Sequence, residues 1–166
     1  MRDSDLPVTS AGPSGLADLG VVVAAVTAIS LPTFLVGTLA VQIRSTMHFG
    51  APELGLVVGC SYAASTLSAA PSGNLAERLG GVRMLRAAVV TSAVTLVLVA
   101  VGAHSWPELA LLMVLAGTAS SAGQVGSNLF LARRVQLRRQ GLAFGLKQAS
   151  VPLAALLGGL AVPGLA

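Results

Sequence analysis

Ser120, Gln124 and Asn128 recur at intervals of four in one apolar stretch, and Lys147 is the only charge well inside another. On a helix, residues four apart share a face. Hydroxyl and amide groups in such a row can exchange hydrogen bonds with a small polar solute, and a nearby ammonium adds recognition of an anionic group. Polar groups are expensive inside a membrane, where they face other helices or a water-filled path. Two uses of the row stay open. It lines a solute path, with Gln124 and Asn128 the leading positions, or it hydrogen-bonds across helix contacts beside Ser121, Ser127 and the small Gly117 and Gly123. Lys147 also has two readings. Its ammonium meets an anionic solute group or a gating carboxylate, or its long stem carries the charge back to the interface. It lies eight residues past Arg139, roughly 12 Å if helical throughout.

Other chemistries find little support. Serines and threonines occur without a buried histidine or carboxylate, so no catalytic residues are assigned and no enzyme is expected. "GLAFGLKQ" lacks the spacing of a phosphate loop and the Ser or Thr after its lysine. No metal-ligating set is assigned and no cofactor is implied. Cys60 stands alone and cannot form an internal disulfide. A pI near 10.7 raises the question of nucleic acid. The arginines, however, lie between apolar runs with no aromatic–basic groove pattern, and membrane topology accounts for the basicity better.

The elements that carry these residues follow from composition. The chain has 166 residues, 54% hydrophobic and only 10% charged, against about 25% charged in a soluble domain. That is too little charge to cover a water-facing surface, so the fold class expected is all-α, a polytopic membrane helix bundle. A bilayer-crossing helix needs about 20 apolar residues. Five runs qualify: Leu19–Ile43, Leu54–Ala76, Ala87–Ala103 with a start near Met84, Leu109–Ala132, and Gly141 to the end. Pro52 and Pro107 suit first helical turns. Arg78, Arg83 and Arg86 lie in the second connection and Arg133, Arg134, Arg138 and Arg139 in the fourth, with Arg44 alone on the other side. Lys and Arg excess marks the cytoplasmic face. Both arginine clusters and the amino terminus are therefore expected inside, with the chain in the cell inner membrane. Residues 1–17 read as a disordered cytoplasmic tail and 18–166 as the bundle. A signal peptide fits poorly, since its basic region would hold one arginine against two aspartates.

The second connection has a specific order, "GNLAERLGGVRML". Gly73 is read as letting backbones approach, and Gly80 and Gly81 as taking the left-handed conformation that turns the chain. Pro32 is read as breaking the first helix. The stretch resembles the loop motif between the second and third helices of the major facilitator superfamily, Gly-x-Leu-Ala-Asp-Arg-x-Gly-basic-basic-x-x-Leu. Gly73, Leu75, Ala76, Arg78, Gly80 and Leu85 match, Glu77 keeps the charge of the usual Asp, and Gly81 and Val82 stand where basic residues are usual. "LPTFLVGTLAVQIR" looks like a first helix of this family. "GLAFGLKQASVPLAALLGGLAVP" resembles the fifth helix in a bacterial branch with cyanate-permease-like members.

The resemblance implies transport of a small solute by alternating access, an organic anion being one candidate. It implies a twelve-helix architecture in two halves, of which five helices would be a truncated amino-terminal portion. The partners would be the solute, the lipid bilayer and the missing carboxy-terminal half or another membrane chain. The resemblance also gives Glu77 a latch role against a helix amino end of the other half, with Gly73, Arg78, Gly80 and Arg83 completing the gating loop. No Asp or Glu lies deep in a run, and Met113 and Val114 stand near the place of the arginine found in proton-driven drug exporters. A uniporter or organic-anion carrier is thus favoured over a drug/proton antiporter. The alternative is a small membrane interaction protein, or a decayed gene product without transport of its own.

Overall fold

The computed structural model describes residues 13–165, with side chains at 18–45 and 48–160. Residues 1–12 of the expected tail lie outside the described residues, and Pro13–Ala17 open the first helix. The described chain is helical apart from short connections: α1 (Pro13–Thr38), α2 (Ala40–Met47), α3 (Ala51–Leu79), α4 (Gly81–Gly102), α5 (Trp106–Arg134), α6 (Leu137–Gln148) and α7 (Ser150–Leu165). Five stretches are long and apolar enough to cross a bilayer: Asp18–Thr38, α3, α4, α5, and Leu137–Leu160 across α6 and α7. Each coincides with an expected span to within several residues at its ends.

The bend in the first span falls elsewhere than expected. α1 runs through Pro32 without a break. Proline lacks the N–H that would serve the carbonyl of Ala28. Ser92 of α4 supplies the donor instead, its Oγ 3.2 Å from the Ala28 oxygen and 3.3 Å from that of Ile29. A backbone carbonyl in the membrane needs such a partner, and a neighbouring helix can provide it. The interruption comes at Leu39, between α1 and α2. There the Leu35 carbonyl accepts both the Leu39 N–H at 2.9 Å and the Thr38 hydroxyl at 3.2 Å. Such side-chain bonding to a preceding carbonyl bends helices. The last span breaks at Ala149, three residues before Pro152, whose ring and missing N–H disfavour continuing the helix through the preceding turn.

A single residue, Gly80, joins α3 to α4. Its φ of +85° with ψ of 152° is a backbone region nearly closed to side chains, so glycine is required there. Gly81, expected to share that conformation, is the first residue of α4 instead. Its role is close approach: a Cβ there would lie 2.7 Å from the Gly126 carbonyl oxygen and 2.9 Å from the Phe130 nitrogen. Gly73, expected at a close backbone contact, has open space where its side chain would be, and so do Gly37, Gly141 and Gly145. Their helix faces point away from neighbours.

α5 is the central helix, packed against α1, α3, α4 and α6. At Gly117 a side chain would collide with the Ser61 backbone of α3, and at Gly123 with Ile29 of α1. The packing reading of these two glycines holds. One buried cluster joins Val22, Val26, Ile29, Leu85, Ala88, Leu131 and Ala143. A second joins Val36, Val57, Leu109, Met113 and Ala116. Leu67, Val90, Val97, Leu111 and Leu160 face outward. A large apolar exterior of this kind belongs to a protein solvated by lipid.

Candidate functional site

The polar row on α5 keeps its shared face. Ser120 and Gln124 are half-buried and Asn128 is exposed, while Ser121 and Ser127 turn into the packing. Ser127 hydrogen-bonds the Gln124 carbonyl of its own helix at 2.9 Å. The Ser120 hydroxyl and the Gln124 amide make no hydrogen bond among the described residues. They are open to another partner.

Lys147 is brought to this row from α6. Its Nζ donates to Asn128 Oδ1 at 2.8 Å, and the residue is only 3% exposed. The side chain is thus turned into the bundle, and no carboxylate lies within ion-pair distance of the ammonium among the described residues. An ammonium has three donors, and one neutral amide oxygen satisfies only one. Gln148, beside it, is exposed.

Buried hydroxyls that belong to no motif link the backbone at Lys147 to α1. Thr27 of α1 donates to the Ser150 carbonyl at 3.4 Å, and the Ser150 hydroxyl bonds the Lys147 carbonyl. Ser150 and Thr27 are both buried. The break at Ala149 thus sits inside a polar chain running from α1 through α7 and α6 to α5. Isolated hydroxyls in long apolar runs were the available signal for Thr27, Ser92 and Ser150. Neither i+4 spacing nor charge distinguished them.

The depth of these groups follows from helix rise. Asn128 precedes Arg133 by five residues and Gln124 precedes it by nine, roughly 8 Å and 14 Å along α5. Half the hydrocarbon thickness is about 15 Å. Gln124 is therefore near mid-depth, with the Asn128–Lys147 pair between it and the arginine end.

The charged residues of the expected gating loop fall in helix ends. Glu77 and Arg78 occupy the last turn of α3, both exposed, and Arg83 the first turn of α4. Among the described residues Glu77 forms no ion pair with Arg78, Arg83 or any other cation. Arg83 and Arg86 line one recess with Arg133 and Arg134, so both arginine clusters lie at the same end of the bundle. Asp18, near the start of the first span, joins that end through a 3.6 Å ion pair to Arg134. Glu53 and Glu108 lie in the first turns of α3 and α5 at the opposite end.

Five spans long and apolar enough to cross a bilayer, with two of their basic turns brought to one end, describe a polytopic membrane protein. The sequence profile of the Major Facilitator Superfamily matches residues 19–166, and the chain belongs to that family of membrane transporters. The match is to the superfamily and does not single out the cyanate-permease-like branch. No curated protein and no solved structure among those compared matches the chain.

Proposed function

We propose that the chain is the amino-terminal, solute-recognising portion of a transporter that moves a small organic anion by alternating access. The carrying observation is Lys147, buried, donating to Asn128 and facing no carboxylate among the described residues. A buried charge is strongly unfavourable unless it is paired and hydrogen-bonded. A solute anion between Lys147, Asn128 and Gln124 would complete the pairing, with Ser120 one turn further along α5. The position near mid-depth agrees with the general placement of transporter sites at the junction of two repeating halves.

Alternating access needs an opposing bundle, either a carboxy-terminal half or another membrane chain. Glu77 is the residue proposed to latch against it, because its exposed carboxylate is unpaired within the described chain. A helix amino end in the opposing bundle would attract it by about 0.3–1 kcal/mol. The excess of basic residues supports a cytoplasmic arginine end, and with it a cytoplasmic amino terminus.

The test is solute binding by the purified chain, measured by calorimetry against small carboxylates and their neutral amides. Carboxylates should bind preferentially, and Lys147→Met should erase the preference while leaving amide binding little changed. Equal binding of both classes, or a preference that survives Lys147→Met, would remove the anion reading. An open reading frame continuing past codon 166 into further spans is the companion expectation. A chain that is stable in the membrane without such an extension would favour an interaction role.

A further inference from the structure

The arginine end of the bundle holds a recess away from the solute row, lined in part by Gly80 and Arg83 of the expected gating loop. It has a volume of about 370 Å³ and lies between the α3–α4 turn and the last turns of α5. Small-molecule sites commonly span ~300–1,000 Å³. Arg83, Arg86, Arg133 and Arg134 line it, with no acidic side chain in the lining. Asp18 engages Arg134 from outside at 3.6 Å. Arg83, Arg86 and Arg133 have no ion pair among the described residues. Phe130 lies under the Arg134 guanidinium, 5.6 Å from ring centroid to charge centre. Leu129, Val82 and Leu79 add apolar wall.

We propose that this recess binds a phosphate group. Several guanidinium groups converging on one concavity match phosphate through paired N–H donors. The uncapped amino end of α4 adds to the positive potential, since Gly80 offers no side chain to its first N–H groups. The recess lies at the ends of three spans, the level at which lipid phosphates sit. Basic pockets between membrane helices hold anionic headgroups in this way. The phosphate can come from an anionic phospholipid or from a soluble phosphate, and the apolar wall accommodates the glycerol part of the former.

Native mass spectrometry of the detergent-purified chain tests this, with phosphatidylglycerol and phosphatidylcholine as probes. The chain should retain phosphatidylglycerol at least about tenfold more strongly, and the pair Arg83→Gln/Arg133→Gln should remove most of that preference. The pair Arg138→Gln/Arg139→Gln, at the same end but outside the recess, should leave it nearly intact. Should the first pair fail to fold, Arg86→Gln alone is expected to lower retention about fivefold. Displacement of the lipid by inorganic phosphate at millimolar concentration identifies a soluble phosphate as the competent ligand. Retention against it identifies the headgroup, and either result upholds a phosphate site. Equal losses in recess and control variants, or no preference over phosphatidylcholine, would overturn it.

Discussion

Ser92 Oγ on α4 lies 3.2 Å from the Ala28 carbonyl oxygen on α1, the group that Pro32 deprives of its helical donor. The bond ties two helices together at the point where one lost an internal hydrogen bond. Ser92 is 1% exposed, so water does not offer a substitute. Ser92→Ala should therefore destabilise the bundle by about 1–2 kcal/mol. In a Pro32→Ala background the Ala28 carbonyl regains its own N–H, and the same change should cost much less. Unfolding in mixed micelles, read as a double-mutant cycle, checks this. Equal costs in both backgrounds would show that the bond does not repair the proline.

Lys147 and Asn128 make a second cycle. Asn128→Leu leaves the buried ammonium without its acceptor, at a cost of about 1.5–3 kcal/mol. Lys147→Met removes the charge along with its demand, and the stem volume is largely kept. The double variant should consequently be more stable than Asn128→Leu alone. If Asn128→Leu proves harmless, Asn128 is not the ammonium's principal support.

Much of this arrangement was legible in the residues. Spans follow from composition and charge spacing, because lipid forbids exposed backbone and makes charge cluster at helix ends. The shared face of Ser120, Gln124 and Asn128 follows from helix periodicity and survives in the structure. The pairing of Lys147 with Asn128 was not legible, since it depends on the axial register of α6 against α5. The same holds for Ser92, whose partner is separated from it by 64 residues. Pro32 was misread as a break for this reason: the local rule was sound, but another helix supplied the missing donor. Gly73 was misread because the rotation of α3 decides which glycines meet a neighbour, and that rotation is set by packing.

The glycines give a direct contrast. At Gly117 a methyl group meets the Ser61 backbone, which has no side-chain freedom with which to yield. Gly117→Ala should destabilise by about 1–3 kcal/mol through overpacking. Gly141 lies within α6 with open space around it. There Gly141→Ala should be neutral or stabilising by up to about 1 kcal/mol, the helix-propensity gain. Thermal aggregation midpoints in detergent would rank the two. A stabilising Gly117→Ala would show that α3 and α5 are not in direct backbone contact.

The common end of the arginines predicts a labelling pattern. With Cys60 changed to Ser, single cysteines at Arg83 and Arg138 should both be blocked to an impermeant maleimide outside intact cells and react once the membrane is opened. A cysteine at His104, between α4 and α5 at the opposite end, should react from outside. The shared recess fixes Arg83 and Arg133 on one side irrespective of orientation, whereas the proposal that this side is cytoplasmic rests on the basic-residue excess. Labelling of both arginine positions from outside would invert the assignment while leaving the fold intact. Labelling of Arg83 and Arg138 from opposite sides would contradict the bundle itself, because the connections at Gly80 and at Val135–Gln136 could then no longer flank the same end of α5.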